Sequence, residues 1–277
     1  VLSFLLTIGE TYLYERKKRL QRVEQTSAQA SKLVVRLACN DEEIKAAQRL
    51  RYRVFVEELG AEIENREKGL DVDHYGPYCL HLLAIDENKN KVIGTYRLLT
   101  PAGAKAVGGW YSACEFDLNP LSSLLGQALE IGRACLDKDY RLGGGVLLMW
   151  SGITSLMEKL GLRYFMACGS ISLADGGILA SSVYHRLVEE GNLVEEKYRV
   201  TSRNPLQLKD VRAAHKGEIP TLIRGYLKLG AKIGGLPYVD EKFGMADLFI
   251  LCDFQAANQH LVKKITQNYH PEKSNKI

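Results

Sequence analysis

The string Glu130-Ile131-Gly132-Arg133 sets an acid and a guanidinium inside an otherwise apolar run from Ala128 to Leu136. Arg51-Tyr52-Arg53-Val54-Phe55 does the same with basic side chains in a second apolar stretch. An ionised group among Val, Ile, Leu and Phe costs several kcal/mol in desolvation, order of magnitude, unless a partner compensates it, so such placements mark sites more often than surfaces. The two strings are read as two walls of one catalytic cleft.

Around them the pattern alternates between strand and helix. Lys32 to Ala38 is β-like, and Asn40 followed by Glu43 predicts a capped helix running to about Leu59, with Ile44, Ala47, Leu50, Val54 and Phe55 on its apolar face. Gly60 to Pro77 is polar and reads as a loop. Leu80 to Ile85 and Val92 to Leu99 flank Asp86-Glu87-Asn88-Lys89-Asn90 and predict a hairpin. Ala128 to Leu136 is a third strand, Gly143-Gly144-Gly145 opens an apolar helix to Leu160, and Tyr164 to Cys168 is a fourth strand. Leu179 to Glu190 then reads as helix, Leu193 to Thr201 as strand, Ile219 to Gly230 as helix, and Leu248 to Cys252 as the strand that closes the sheet. This order predicts an α/β (α+β) fold with one central mixed sheet flanked by helices. The expected division is an amphipathic helical extension over residues 1–31, the main domain over 32–255, and a C-terminal helix with a polar tail over 256–277.

Composition narrows the partners. The 277 residues carry a formal charge of +4, mild enough to favour an acidic protein or an anionic membrane without demanding nucleic acid. Cys39, Cys79, Cys114, Cys135, Cys168 and Cys252 include no C-x-x-C pair, which reads as a reduced, cytoplasmic protein with neither a disulfide framework nor a zinc site. No apolar run approaches the roughly 20 residues that span a bilayer. The apolar Val1 to Ile8 followed by Arg16-Lys17-Lys18-Arg19 allows contact with the inner face of a membrane, or a solvated helix. Arg141 with Gly143, Gly144 and Gly145 has the make-up of an anion-holding turn before a helix N-terminus, as a plain tight joint also would.

Several strings, taken in order, resemble the GNAT acyltransferases. They are Leu50 to Val56 with Glu58-Leu59-Gly60, Asp71-Val72-Asp73-His74-Tyr75, Cys79 to Leu82, Gly94 to Leu99, and Glu130 to Arg133. Within that group they resemble the acyl-homoserine lactone synthases. Ile219 to Leu222, Tyr226 to Ala231, Asp240, Phe243 and Asp247 are more specifically similar to the L-ornithine N-alpha-acyltransferases of ornithine-lipid biosynthesis. The resemblance spans about Leu33 to Asp253. It implies transfer of a 3-hydroxyacyl chain from acyl carrier protein to the α-amine of ornithine, giving lyso-ornithine lipid. The donor substrate would be acyl-phosphopantetheine, with no tightly bound cofactor.

Aminolysis of a thioester needs a neutral amine, a route for its proton and donors for the oxyanion. Glu130 is the expected general base, brought to one side with Arg133 by a bulge at Gly132, since in an unbroken strand the two would face opposite ways. Arg51, Phe55, Asp71, Asp73 and Arg97 are expected at the acceptor and acyl pocket, the acids for ammonium groups and an arginine for the carboxylate. Arg141, Gly143, Gly144 and Gly145 are expected to hold the donor arm. Gly76 stands where related sequences often carry a further Asp, a departure that bears on the acceptor. Lys197, Arg199, Arg203, Lys209, Arg212 and Lys216, read as lying near the glycine turn, are the candidate docking residues for an acidic carrier protein. Three further readings compete. One is N-acylation of another amino acid or N-acetylation from acyl-CoA. A second is a glycerolipid O-acyltransferase built on His81 and Asp86, with His74 as a lesser proton-transfer candidate. The third is a non-catalytic, haemolysin-like membrane protein.

Overall fold

The computed structural model describes residues 32–62, 68–141, 145–210 and 218–267. The predicted extension over residues 1–31, the tail beyond 267, Gly143, Gly144, Arg212 and Lys216 lie outside the described residues.

The main sheet is built from β1 (Leu33–Leu37), β2 (Leu80–Asp86), β3 (Lys91–Leu99), β5 (Ala128–Leu136), β6 (Tyr164–Ser172), β8 (Lys232–Ile233), β9 (Tyr238–Asp240) and β10 (Met245–Asp253). Their order is β1-β2-β3-β5-β6-β10-β8, with β9 beside β10. The short strands β4 (Phe116–Asp117) and β7 (Thr201–Ser202) pair separately. Central strands buried on both faces need near-continuous apolar sequence, and Leu82 to Ile85, Leu98, Leu99, Leu129, Ile131 and Leu248 to Ile250 supply it.

One face of the sheet is covered by α1 (Asp41–Tyr52), which passes into a π-helical turn at Arg53–Glu58. The Asn40 side chain caps α1 by accepting from the Glu43 N–H. The other face carries α2 (Gly145–Leu160), with α3 (Ile178–Glu189), α4 (Thr221–Leu229) and α5 (Gln259–Gln267) completing the helical layer. At Gly152 of α2 a Cβ would come within 2.9 Å of Val35 and 3.0 Å of Leu82, so glycine lets the helix sit directly on β1 and β2. No helix among the described residues is long and apolar enough to cross a membrane.

Two elements differ from the sequence pattern. The strand predicted over Leu193 to Thr201 is instead a single bridge at Leu193, a 3₁₀ turn at Glu196–Tyr198 and the two residues of β7. Its apolar residues are buried one at a time, with the Val200 N–H donating to Gly234 O at 3.0 Å. The strand predicted to close the sheet, β10, lies inside it between β6 and β8.

The strand β5 runs antiparallel to β3 and parallel to β6. Its pairing with β6 covers only Ala128, Leu129 and Glu130, opposite Tyr164, Phe165 and Met166. Both strands continue past this point, so the sheet opens into a cleft whose near wall is the free edge of β5.

Candidate active site

At the mouth of this cleft β5 is bulged. Thr95 pairs with Cys135 and Arg97 with Gly132, so two residues, Arg133 and Ala134, stand opposite Tyr96 alone. The distortion predicted at Gly132 therefore falls one residue later, and Arg133 carries it with a φ of +49°. That left-handed conformation costs a β-carbon-bearing residue on the order of 1–2 kcal/mol, strain of the kind that gathers at functional sites. Its effect is geometric: Glu130, Ile131, Gly132 and Arg133 all line one small chamber of about 40 Å³, with Tyr75, Cys79, Arg97, Leu99, Tyr111, Ser112 and Cys168.

Glu130 is almost fully buried and its carboxylate is held by the first residues of the 3₁₀ turn Tyr111–Cys114. It accepts from the Tyr111 N–H at 2.8 Å, from the Ser112 N–H at 2.7 Å, and closely from the Ser112 hydroxyl. Burial raises the Glu130 carboxyl above its ordinary range, against the pull of these donors, leaving a carboxylate more basic than one in water.

Two of the expected acids and three arginines form a second layer. Arg51, 1% exposed, donates to Asp71 Oδ2 at 2.6 Å and to the Asp71 carbonyl at 2.9 Å. Arg97 donates to Asp73 Oδ2 at 2.5 Å, and its guanidinium lies over Tyr75 and Tyr111. Arg133 stands between the aspartates, 3.6 Å from each, over the rings of Tyr111 and Phe243. Its Nε is buried without a hydrogen-bond partner. Burial alone would raise Asp73, but Arg97, Arg133 and the Gly76 N–H together hold its carboxyl below the usual range. Three guanidiniums against two carboxylates leave a local excess of positive charge at Arg133.

Beyond Arg133 and Tyr111 the chamber adjoins a larger cavity of about 590 Å³, walled by Asp71, Asp73, Tyr75, Glu115, Arg133, Tyr238, Asp240 and Phe243 among others. Its lining includes the acids Glu115 and Asp240. Glu115, Asp240 and Asp247 present carboxylate oxygens within 4.8 Å of one another. Their hydrogen bonds come from neutral groups: the Cys168 thiol to Glu115, the Ser170 hydroxyl to Asp247, and the Lys242 and Phe243 N–H groups to Asp240. Burial, with the neighbouring Asp247 charge, pushes the Glu115 carboxyl up to about 8, and burial with the Asp240 charge takes Asp247 to about 6 despite Ser170. The cavity is thus bipolar, holding the Arg133 guanidinium and walled by part of a carboxylate cluster.

The remaining expected residues fall elsewhere. Phe55 packs with Leu50, Val54 and Cys135 under α1, outside the walls of both cavities. Arg141 donates to Glu58 at 2.6 Å and to the Leu136 carbonyl at 3.0 Å, on the surface. Gly145 is buried at the start of α2, where a Cβ would stand 3.0 Å from the Tyr140 carbonyl. His81 and Asp86 sit at opposite ends of β2, about 17 Å of extended chain apart. His81 Nε2 bonds the Gly76 carbonyl, and Asp86 accepts from Tyr140 at 2.7 Å, so the two do not form a pair. His74 is exposed on the wall of the larger cavity. Lys197, Arg199, Arg203 and Lys209 are exposed, as docking requires, and the segment through Val200 and Arg203 is tied to Gly234, Glu115 and Ala113. Ser112, Glu115 and Cys168 had no sequence signal; Asp247, a charge beside the apolar Leu248 to Cys252, had the same signal as Glu130.

Residues 50–151 match the family described as Acetyltransferase (GNAT) domain. An L-ornithine N(alpha)-acyltransferase of Rhodobacter capsulatus is 33% identical over 238 residues, covering 81% of this chain and 91% of that protein. One from Rhizobium meliloti is 33% identical over 270 residues, covering 91% and 90%. Among solved structures, a CoA-dependent acyl-homoserine lactone synthase with SAM and isopentyl-CoA aligns at a TM-score of 0.49 and 17% identity, over 85% of this chain and 87% of that one.

Proposed function

Because the chain belongs to the L-ornithine N(alpha)-acyltransferases and has the GNAT fold, we propose that it moves a 3-hydroxyacyl group from acyl carrier protein to the α-amine of ornithine, forming lyso-ornithine lipid in the cleft beside Glu130. The observation that carries this reading is the position of Glu130, Gly132 and Arg133 on one chamber where β5 parts from β6.

The thioester lies in the opening with its carbonyl toward the free backbone edge at Ile131 to Arg133, whose N–H groups meet the developing oxyanion. Glu130 takes a proton from the ammonium, the neutral amine attacks the carbonyl carbon, the C–S bond breaks, and the second amine proton ends on the departing thiol. The donor arm follows the cleft toward the N-terminus of α2, where Arg141 and the glycines before Gly145 serve its phosphate. The acceptor occupies the larger cavity. Its carboxylate faces Arg133, and its side-chain ammonium faces Asp240, which lines the cavity, since Asp71 and Asp73 already serve arginines. A bipolar pocket of this kind favours a dibasic amino acid over a neutral one. The acidic carrier protein docks through exposed cations such as Arg199 and Arg203, which makes the reaction salt-sensitive.

The test is to incubate the purified protein with a 3-hydroxyacyl group on carrier protein or on CoA and a panel of amino acids, and to identify amides by mass. The α-amide of ornithine, made from the carrier-linked donor, is expected. Turnover from CoA alone overturns the donor, a preference for a neutral amino acid overturns the acceptor, and absence of any amide overturns acyl transfer.

A further inference from the structure

Acylation of an ammonium releases one proton per turnover, beyond the one that leaves with the thiol. The chamber around Glu130, at about 40 Å³, has room for about two or three waters before the thioester enters. Once a substrate fills it, water has little path to the carboxylate.

The protein itself supplies a path. The Ser112 hydroxyl donates to Glu130 and lies 3.5 Å from Cys168 Sγ, and the Cys168 thiol donates to Glu115 Oε2 at 3.1 Å. Glu130, Ser112 and Cys168 line the chamber, whereas Glu115 lines the larger cavity. The line of groups therefore begins beside the reacting atoms and ends beside solvent, crossing from β5 through the 3₁₀ turn to β6.

We propose that Ser112, Cys168 and Glu115 form a proton wire that carries the proton taken up by Glu130 out to the larger cavity. This rests on the reading of Glu130 as the proton acceptor. In the transfer, protonated Glu130 gives its proton to Ser112 Oγ as the Ser112 hydroxyl proton passes to Cys168 Sγ and the Cys168 thiol proton passes to Glu115. Glu130 ends as carboxylate, Glu115 as carboxylic acid, and Ser112 and Cys168 are unchanged; Glu115 then yields the proton to water. The thiol already points along the wire, toward Glu115. Burial, with the Glu115 and Asp247 charges, raises the Cys168 thiol well above its ordinary value, which keeps it protonated and unfit as a nucleophile. The Glu115 carboxyl, at about 8, both gains and loses a proton close to neutrality. The groups facing it are Asp247, Asp240 and Glu130, the Cys168 thiol, and the Tyr111 and Tyr238 hydroxyls.

Cys168 and Ser112 are positioning residues in this scheme, and the test separates a wire from packing. Full-length Cys168→Ala, Cys168→Ser and Glu115→Gln proteins are compared with wild type by kcat and KM for ornithine across pH, with thermal unfolding to confirm the fold. Cys168→Ala is expected to lower kcat at least about ten-fold with a smaller change in KM, below the 10²–10⁴ of losing acid–base catalysis outright. Cys168→Ser, which keeps a hydroxyl in the line, restores most of the rate. Wild-type kcat rises with pH through the Glu115 titration, because only the ionised carboxylate accepts, and Glu115→Gln removes that limb. Unchanged kcat and pH profile in Cys168→Ala, or equal loss in Cys168→Ser, overturns the wire and leaves acyl transfer standing. Absence of amide from wild type is the separate failure that overturns the acyl-transfer reading.

Discussion

Replacing Arg51 by Met tests how firmly the arginine–aspartate layer holds the site. The Arg51 guanidinium is 1% exposed and makes two hydrogen bonds to Asp71, at 2.6 and 2.9 Å, while its NH1 finds no partner. Methionine keeps most of the volume and removes the charge, so the loss is that of a cation from a buried pair, about 3–5 kcal/mol. Two features move the figure to the lower end. The unsatisfied NH1 goes too, and Arg133, 3.6 Å from the same Asp71 oxygen, still balances part of the stranded carboxylate. A loss of about 3 kcal/mol in urea denaturation is the expected outcome, and at roughly 2–4 °C per kcal/mol it lowers Tm by about 6–12 °C. Adding Asp71→Asn removes the stranded charge and recovers at least half of the loss. A single variant within about 0.5 kcal/mol of wild type, or a double variant whose losses simply add, refutes the reasoning.

Three other outcomes are expected from the same geometry. Glu115 and Asp247 titrate at about 8 and about 6 in the folded chain, above 4.5 and 3.8, so the native state binds more protons and stability falls with rising pH between those limits. The fall of stability with pH should become shallower between about 4.5 and 8 in Glu115→Gln, with the Asp247 share remaining below about 6, and an unchanged slope contradicts the burial argument. Ornithine should be preferred over norvaline, its analogue without the side-chain amine, and Asp240→Asn should reduce the ratio of their kcat/KM values about ten-fold, the worth of one hydrogen bond to a charged group. Gly152→Ala, whose Cβ meets Val35 and Leu82 at 2.9 and 3.0 Å, should cost about 1–3 kcal/mol by thermal unfolding, and a neutral result would mean that α2 does not rest on β1 and β2 as described.

Much of the architecture was legible because its signals are local. The β2–β3 hairpin announced itself as two apolar runs around Asp86 to Asn90, and α1 by its Asn40 cap. Leu193 to Thr201 misled because Leu193, Val194 and Val200 are apolar for another reason, namely that each anchors a loop against β8 or Gly234. The end of β6 was missed for the converse reason: Gly169, Ser170 and Ser172 lack strand character, and the pairing with Met245 to Leu248 holds them extended. In the site, Glu130 and Arg133 stood out through the desolvation cost of charge in an apolar strand, and Gly132 placed the bulge within one residue. Ser112, Glu115 and Cys168 did not, because their arrangement exists only once Glu130 pins the turn at Tyr111 and Ser112 beneath β6.

The proposed role of Glu130, taking a proton from the amine beside the thioester, has a direct test. Single-turnover formation of the ornithine α-amide from 3-hydroxyacyl carrier protein, measured for wild type and for folded Glu130→Gln, isolates that step. A rate lowered by roughly 10²–10⁴ in the variant, with ornithine binding retained, is predicted. Equal rates in the two proteins would contradict it.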